Sequence, residues 1–280
     1  MTELLGKPVA DAITGSLTSS IEAMSARGKV PTLAVIRVGA REDDLAYERG
    51  LTKRFEGANC AVRKIELPED VTQEVLDAAV ASADEDPSVD GILMFRPLPK
   101  TLTDKNVLNT ISAVKDVDGM GKANMADIFS GAGEGHAPCT AQAVIEILKH
   151  HNIDIKGKKV TVVGRSLVIG KPVAMLLLKE NATVKVCHTK TEDLKAECQW
   201  ADIVVACAGK AKMLDASYFR PGQTVIDVGM NVDDEGKLCG DVDFASVSEI
   251  VDAITPVPRG VGSVTTSVLL RAVVENAGLQ

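Results

Sequence analysis

Aromatic residues are scarce: five Phe, two Tyr and one Trp make up 3% of 280 residues. Any core must therefore be built from Val, Ile, Leu and Ala, the side chains of a parallel sheet covered on both faces. Hydrophobic residues reach 45%, enough to bury real cores, and the length suits two domains of ordinary size. Positive charge is in deficit. The net charge is -8 with no block of like charge, which argues against a nucleic-acid partner. No apolar run approaches the roughly 18 residues of a membrane span. The opening "MTELLGKPVADAI" has no basic segment ahead of an apolar one, so no signal peptide and no membrane are expected, and the expected location is the cytoplasm. The six cysteines contain no C-x-x-C pair, and the four histidines no H-x-x-x-H. Neither a metal site nor a disulfide framework is expected. The cysteines read as small buried thiols in a reducing compartment.

What is present alternates. "PTLAVIRVG" (31–39) reads as a strand, 43–56 as a helix, "CAVRKIELP" (60–68) as a strand, 72–86 as a helix stopped by Pro87, and "VDGILMFRPLP" (89–99) as a strand. This β-α-β-α-β order predicts an open parallel sheet. A loop follows with "KDVDG" (115–119) and the glycine-rich "SGAGEGHAPCT" (130–140). Thr140 is expected as the N-cap of the helix "AQAVIEILKHH". A second alternation has strands at 158–166, 182–189, 201–209, 223–231 and 249–257, with a helix from Lys171 to Lys179 after the first. That pattern predicts a Rossmann-type half. The final amphipathic helix, "VTTSVLLRAVVENAG", has no strand after it and is expected to return to the N-terminal domain.

In "VTVVGRSLVIGKP" a strand, a turn and a helix follow one another. The usual G-x-G-x-x-G is missing; Gly164 and Gly170 flank Arg165 and Ser166. Gly164 permits a tight turn. Gly170 opens a helix whose free N–H groups would attract a pyrophosphate, and Pro172 suits its first turn. The next strand ends in "CHTKT", with His188, Thr189 and Lys190 at its tip. NAD enzymes usually place a carboxylate there for the ribose hydroxyl. A basic, hydroxyl-bearing tip beside Arg165 favours a 2′-phosphate, so NADP is the expected cofactor, with NAD the alternative.

One helix poses a separate question. In "LAYERGLTK", Tyr47 is followed four residues on by Leu51 and six on by Lys53. At about 100° per residue, Leu51 lies about 40° from Tyr47 and Lys53 about 240° away. The pattern fits either an ordinary Tyr–Leu contact or a catalytic pair that has lost a member.

These motifs, with "NATVKVCHTKT", "ADIVVACAGK", "GQTVIDVGMN", "GDVDF", "ITPVPRGVGSVTT", "LLGKPVA", "DGILMFRPLP", "KDVDG" and "PCT", together resemble the methylenetetrahydrofolate dehydrogenase/cyclohydrolase family, nearly end to end and in order. The resemblance implies an α/β homodimer whose chain has two domains. Residues 1–119 plus 259–280 would form a folate-binding catalytic domain, and 120–258 a Rossmann-type NAD(P)-binding domain, with tetrahydrofolate in the cleft between. It also implies that Asp118 binds the pterin ring and that Pro258 and Gly262 line the substrate. The family's catalytic lysine falls at Leu51 and its glutamine at Phe95. Arg259 replaces a Gly, Ser263 a Pro and Ala141 a Pro.

Those departures predict a divided chemistry. Oxidation of the methylene carbon is driven largely by the substrate's own nitrogen lone pair, so the protein has mainly to orient the reactants and exclude water. Hydrolysis of the methenyl product needs a positioned acid–base group, which Leu51 and Phe95 cannot supply. The expectation is an NADP-dependent methylenetetrahydrofolate dehydrogenase with weak or absent cyclohydrolase activity. The alternatives are a bifunctional enzyme with a base relocated to Lys53, Arg49 or Arg96, and a non-catalytic folate or nucleotide sensor.

Overall fold

The computed structural model describes residues 1–104, 107–131 and 135–279; the glycine-rich stretch at 130–140 therefore lies partly outside the described residues. The chain runs β1 (Thr2–Glu3), α1 (Gly6–Ser25), β2 (Thr32–Val38), α2 (Glu42–Gly57), β3 (Ala61–Leu67), α3 (Gln73–Glu85), β4 (Gly91–Met94), α4 (Lys122–Ser130) and α5 (Cys139–His150). It continues through β5 (Lys159–Val163), α6 (Gly170–Lys179), β6 (Thr183–Cys187), α7 (Leu194–Trp200), β7 (Ile203–Ala206), β8 (Thr224–Asp227), β9 (Asn231–Val232), β10 (Leu238–Cys239), α8 (Phe244–Val247), β11 (Ala253–Ile254) and α9 (Gly262–Leu279). It divides into two compact α/β units, Ala12–Cys139 with Thr266–Gln280, and Met1–Asp11 with Thr140–Thr265.

In the first unit β2 lies between β3 and β4, all parallel, with Ile36 level with Ile65 and Met94. Leu33 to Ile36 are buried without alternation, as a strand covered on both faces requires. Ala34 and Ile36 pack with Leu76 and Val80 of α3 and with Ile92 and Met94 of β4. The C-terminal part of α9 belongs to this unit. Asn276 donates from Nδ2 to the Asp90 carbonyl at 3.0 Å. At Gly91 a Cβ would stand 2.8 Å from side-chain carbons of Val273 and Val117, so only glycine lets α9 settle onto β4.

α2 buries Glu48, Leu51 and Phe55, a spacing that puts all three on one helix face. Burial alone would raise the Glu48 pKa, but Lys64 and Arg37 together bring it below the ordinary value. The carboxylate pairs with Arg37 of β2 at 3.1 Å and with Lys64 of β3 at 2.8 Å. Breaking such a buried pair is costly because it strands a charge, so the pairs fix the rotation of α2 about its axis.

The second unit holds a six-stranded parallel sheet in the order β1-β11-β8-β7-β5-β6, and β9 and β10 form an antiparallel pair. Val163, Val204, Ala206, Val225 and Ile254 form its core with Cys198 and Phe219. From β5 the chain goes to β6 on one side and then to β7 on the other. The crevice at this reversal, at the carboxyl ends of β5 and β7, is where open α/β sheets bind ligands.

Several expectations change. The sequence puts residues 1–11 in the N-terminal domain; instead β1 pairs with β11, Thr2 level with Ala253. Thr140 lies inside α5, which begins at Cys139, so it is not the residue before the helix. The strand expected over 249–257 shrinks to Ala253–Ile254. Beyond it the Thr255 N–H still donates to the Val225 carbonyl at 3.0 Å, and the Thr255 hydroxyl accepts from the backbone N–H of Asp227 at 2.7 Å. Arg259 has φ +86°, a left-handed conformation that costs a non-glycine residue about 1–2 kcal/mol. The position calls for the Gly that the family resemblance expects there.

Candidate active site

On the first unit, α2 carries Tyr47, and the chain leaving β4 carries Phe95 and Arg96. The two rings meet edge to face, with centroids 5.6 Å apart and planes at 64°. Phe95 is 8% exposed and Tyr47 38%. Desolvation of the phenol, then the nearby Cys139 and Asp118, hold its pKa well above the ordinary value. Tyr47 therefore keeps its proton at neutral pH. Leu51 has none of its surface exposed. Lys53 is exposed, and α2 runs as unbroken α-helix through it. No bulge rotates Lys53 onto the Tyr47 face.

The two carboxylates of "KDVDG" divide their work. Asp116 is buried and accepts from the backbone N–H groups of Met120 at 3.2 Å and Gly121 at 2.7 Å and from Asn124 Nδ2 at 2.9 Å. It builds the start of α4. Gly119, at φ +63°, makes the turn; a Cβ there would stand 2.3 Å from the His136 carbonyl oxygen. Asp118 is left to face the site. Its Oδ2 accepts from Arg96 Nη2 at 3.2 Å, and Arg96 Nη1 lies 4.0 Å from Asp104. Burial pushes the Asp118 carboxyl up to about 6, against the pull of Arg96 and with some push from Asp116. Cys139 closes this cluster. Its thiol donates to the Val117 carbonyl at 3.2 Å, and burial, then Asp118 and Asp116, raise it well above the ordinary thiol range, which makes it inert.

On the second unit, Gly164, Arg165, Ser166 and Gly170 form one turn after β5. A Cβ on Gly164 (φ +136°) would stand 2.3 Å from the Cys207 carbonyl oxygen, and one on Gly170 would stand 2.4 Å from the Gly164 carbonyl oxygen. Both glycines are required by backbone approach. The free N–H groups expected at the start of α6 are already turned inward. Ser166 Oγ accepts from Ile169 at 3.2 Å and Gly170 at 3.5 Å, and the Ser166 carbonyl accepts from Lys171 at 3.0 Å. Arg165 is exposed.

Val163 is level with Cys187, so the Gly164 turn and the His188 tip leave neighbouring strands side by side. The tip is a closed turn. The His188 N–H donates to Thr191 Oγ1 at 2.9 Å, and the Lys190 N–H donates to His188 Nδ1 at 3.1 Å. His188 thus shapes the tip, and Thr189 and Lys190 are the exposed groups. Asp193, the nearby carboxylate, is engaged in capping α7 through the Ala196 N–H at 3.0 Å. Pro258 and Gly262 lie exposed in the same unit, after β11.

Sequence reading did not assign Asp241. This buried side chain accepts from the backbone N–H groups of Ala208, Gly209 and Lys210 at 2.5, 3.0 and 2.9 Å and from Asn231 Nδ2 at 2.9 Å. It fixes the loop after β7, which meets the Gly164 turn at Cys207. Asp227, next to it in "VIDVG", accepts from the N–H groups of Gly229, Asp241 and Val242. Its burial lifts its pKa to about 7 against those bonds. An Asp next to Gly240 in "GDVDF", and another two residues before Gly229 in "VIDVGMN", are the signals that could have marked them as loop organisers.

Residues 4–118 match the catalytic domain of tetrahydrofolate dehydrogenase/cyclohydrolase and residues 138–280 its NAD(P)-binding domain. The chain belongs to this family. A Clostridioides difficile (strain 630) protein described as the bifunctional protein FolD is 50% identical over 275 residues, covering 98% of this chain and 96% of that relative. The crystal structure of the Campylobacter jejuni bifunctional enzyme FolD superposes with a TM-score of 0.96 at 37% identity, covering 99% of this chain and 98% of the other. A Trypanosoma brucei FolD, described as complexed with NADP cofactor and an inhibitor, gives 0.93 at 34% identity, covering 99% and 97%.

The protein is thus a tetrahydrofolate dehydrogenase/cyclohydrolase family member, an oxidoreductase of one-carbon metabolism with a nicotinamide-dinucleotide domain. Among the described residues no helix is long and apolar enough to cross a membrane, and no group of three or more His, Cys, Asp or Glu could hold a metal ion.

Proposed function

We propose that this protein oxidises methylenetetrahydrofolate to methenyltetrahydrofolate with NADP, and hydrolyses the product weakly or not at all. NADP, when bound, supplies the hydride acceptor. We assign folate binding to the unit of Ala12–Cys139 with Thr266–Gln280 and nucleotide binding to that of Met1–Asp11 with Thr140–Thr265, in a cytoplasmic homodimer. In this reading Asp118 orients the pterin, Tyr47 packs against the substrate and donates a hydrogen bond, and Pro258 and Gly262 line the folate. Gly164 and Gly170 let the backbone approach the pyrophosphate, Ser166 holds that turn in shape, and the His188–Lys190 tip with Arg165 receives the 2′-phosphate.

The observation that carries the reading is the environment of Tyr47. One helical turn on stands a fully buried Leu51, the ring beside it is Phe95, and Lys53 points elsewhere on a regular helix. Oxidation requires orientation and exclusion of water. Hydrolysis requires a group to take a proton from water and another to protonate the leaving nitrogen, and neither Leu51 nor Phe95 has a proton to give or a lone pair to take one. The test is incubation with methylenetetrahydrofolate and NADP. NADP should be reduced and methenyl absorbance should accumulate. Reduction with no accumulation supports the second reading, a bifunctional enzyme, which the description of the Clostridioides difficile relative favours. No reduction at all would leave only a non-catalytic sensor.

The cofactor preference has its own test. Arg165→Ala removes one charge-assisted contact to the 2′-phosphate. It should raise the KM for NADP about tenfold or more and leave that for NAD nearly unchanged, since a charged hydrogen bond is worth roughly 1.5–3 kcal/mol. Equal losses for both nucleotides would sink the assignment.

A further inference from the structure

Arg96 stands at the exit of β4 next to Phe95, and its Nη2 donates to Asp118 Oδ2 at 3.2 Å. The role of Arg96 rests on the reading of Asp118 as the pterin-binding group, and that reading requires an ionised carboxylate. An ionised carboxylate accepts one ligand N–H on each oxygen, whereas a protonated one turns an O–H donor toward one of them. The surroundings of Asp118 work against that. Asp116 lies on the same loop, Cys139 of α5 and Tyr47 of α2 are both electrostatically coupled to it, and Tyr47 brings no positive charge. Arg271 of α9 acts on the Cys139 thiol. Facing the carboxylate itself, the favourable partners are the Arg96 guanidinium and the Cys139 backbone. Arg96 is in turn steadied by Asp104, 4.0 Å from Nη1.

We infer that Arg96 is the positioning residue of Asp118: its guanidinium holds Oδ2 and keeps the group an acceptor for the paired N–H donors of bound folate. A guanidinium suits this role because it stays charged at every working pH and has a fixed fork geometry. For the same reason it cannot be the missing base. One Nη2–Oδ2 bond leaves most of the carboxylate's lone pairs available, since an ionised carboxylate has about four acceptor sites.

The pH dependence has a definite sign. Asp118 binds folate in its ionised form, so affinity is full above its pKa and falls as pH drops through about 6. Without Arg96 the remaining neighbours favour the protonated form, and the midpoint moves up. An opposite charge at this range is worth roughly one to three pH units.

The experiment is calorimetric titration with tetrahydrofolate from pH 5 to 8 on the intact protein, its Arg96→Gln variant and its Arg96→Lys variant. Arg96→Gln should move the midpoint of folate affinity up by about one unit or more, while Arg96→Lys, which keeps the charge, should stay within a few tenths of the parent. NADP affinity should be the same in all three, and melting temperatures exclude unfolding as the cause. If Arg96→Gln does not fold, Arg96→Met serves, with the same expected shift. Profiles that overlie the parent, or a Lys variant that shifts as far as the Gln variant, overturn the inference. A parent that binds tetrahydrofolate yet never reduces NADP sinks the dehydrogenase reading and leaves the role of Arg96 intact. Failure to bind tetrahydrofolate at all overturns both.

Discussion

Leu51→Lys combined with Phe95→Gln is expected to raise methenyltetrahydrofolate hydrolysis on the order of 10²-fold over the parent, the low end of what positioned acid–base groups contribute. Each single change should leave the rate close to the parent's. A lysine one turn from Tyr47, with Phe95 still in place, gains an amine but no polar partner. A glutamine alone gains no base. The burial of Leu51 adds a second expectation. It has no exposed surface, so an ammonium placed there is desolvated. Its pKa falls, which brings it nearer to the working pH of a general base, and the variant melts at a lower temperature because the buried charge is costly. In the double variant, Tyr47→Phe should reduce the restored hydrolysis. The measurement is methenyl decay above the uncatalysed background in parent, singles and double. A parent that already hydrolyses at a rate comparable to its dehydrogenase turnover overturns the reading, and Lys53 becomes the first candidate for the base.

Asp118→Asn should lower kcat/KM for the folate substrate by about 10²-fold, the size of loss that comes from misplacing a reacting carbon by about 1 Å. An amide presents one acceptor oxygen where the carboxylate presents two, so the pterin edge loses half of its paired contact. Nucleotide affinity and melting temperature should hardly change, because the turn does not depend on Asp118. Asp116 carries the bonds to Met120, Gly121 and Asn124, and Gly119 supplies the left-handed step. A large fall in melting temperature with folate turnover preserved would show that Asp118 serves the turn.

The alternation of strands and helices was legible because strands buried on both faces leave unbroken apolar runs such as "LAVI" and "IVVA". Strand ends were harder to read. β4 ends at Met94 and β11 at Ile254, yet Phe95 and Thr255 still donate to the Ile36 and Val225 carbonyls, and the added bond from Asp227 to Thr255 joins residues 28 apart in sequence. α1 drew no prediction. Its buried Val9, Ile13, Leu17 and Ile21 are spaced by four, but they sit among Gly, Ser and Thr, which favour turns and caps.

The site shows the same division. The glycine turn after β5 and the tip after β6 could be read because they come directly after strands. The Arg96–Asp118 pair could not, because it joins two loops 22 residues apart. The expectation of open N–H groups on α6 missed Ser166, whose hydroxyl and carbonyl both turn back onto the helix start.

The pairing of β1 with β11 also bears on how the molecule is made. Thr2 and Ala253 meet at nearly opposite ends of the chain. On a ribosome β1 emerges long before its partner, which lies 251 residues further on (Thr2 to Ala253). Until then β1 has no strand to pair with. The chain also passes from one unit to the other within α1, after Cys139 and within α9, so the unit of Ala12–Cys139 is not complete until the rest of α9 has been made. Contacts of such wide sequence separation are slow to form, and exposed strand edges invite association with other chains. The outermost strand, only Thr2 and Glu3, is short and carries a charge, both features that natural sheets use to blunt an edge.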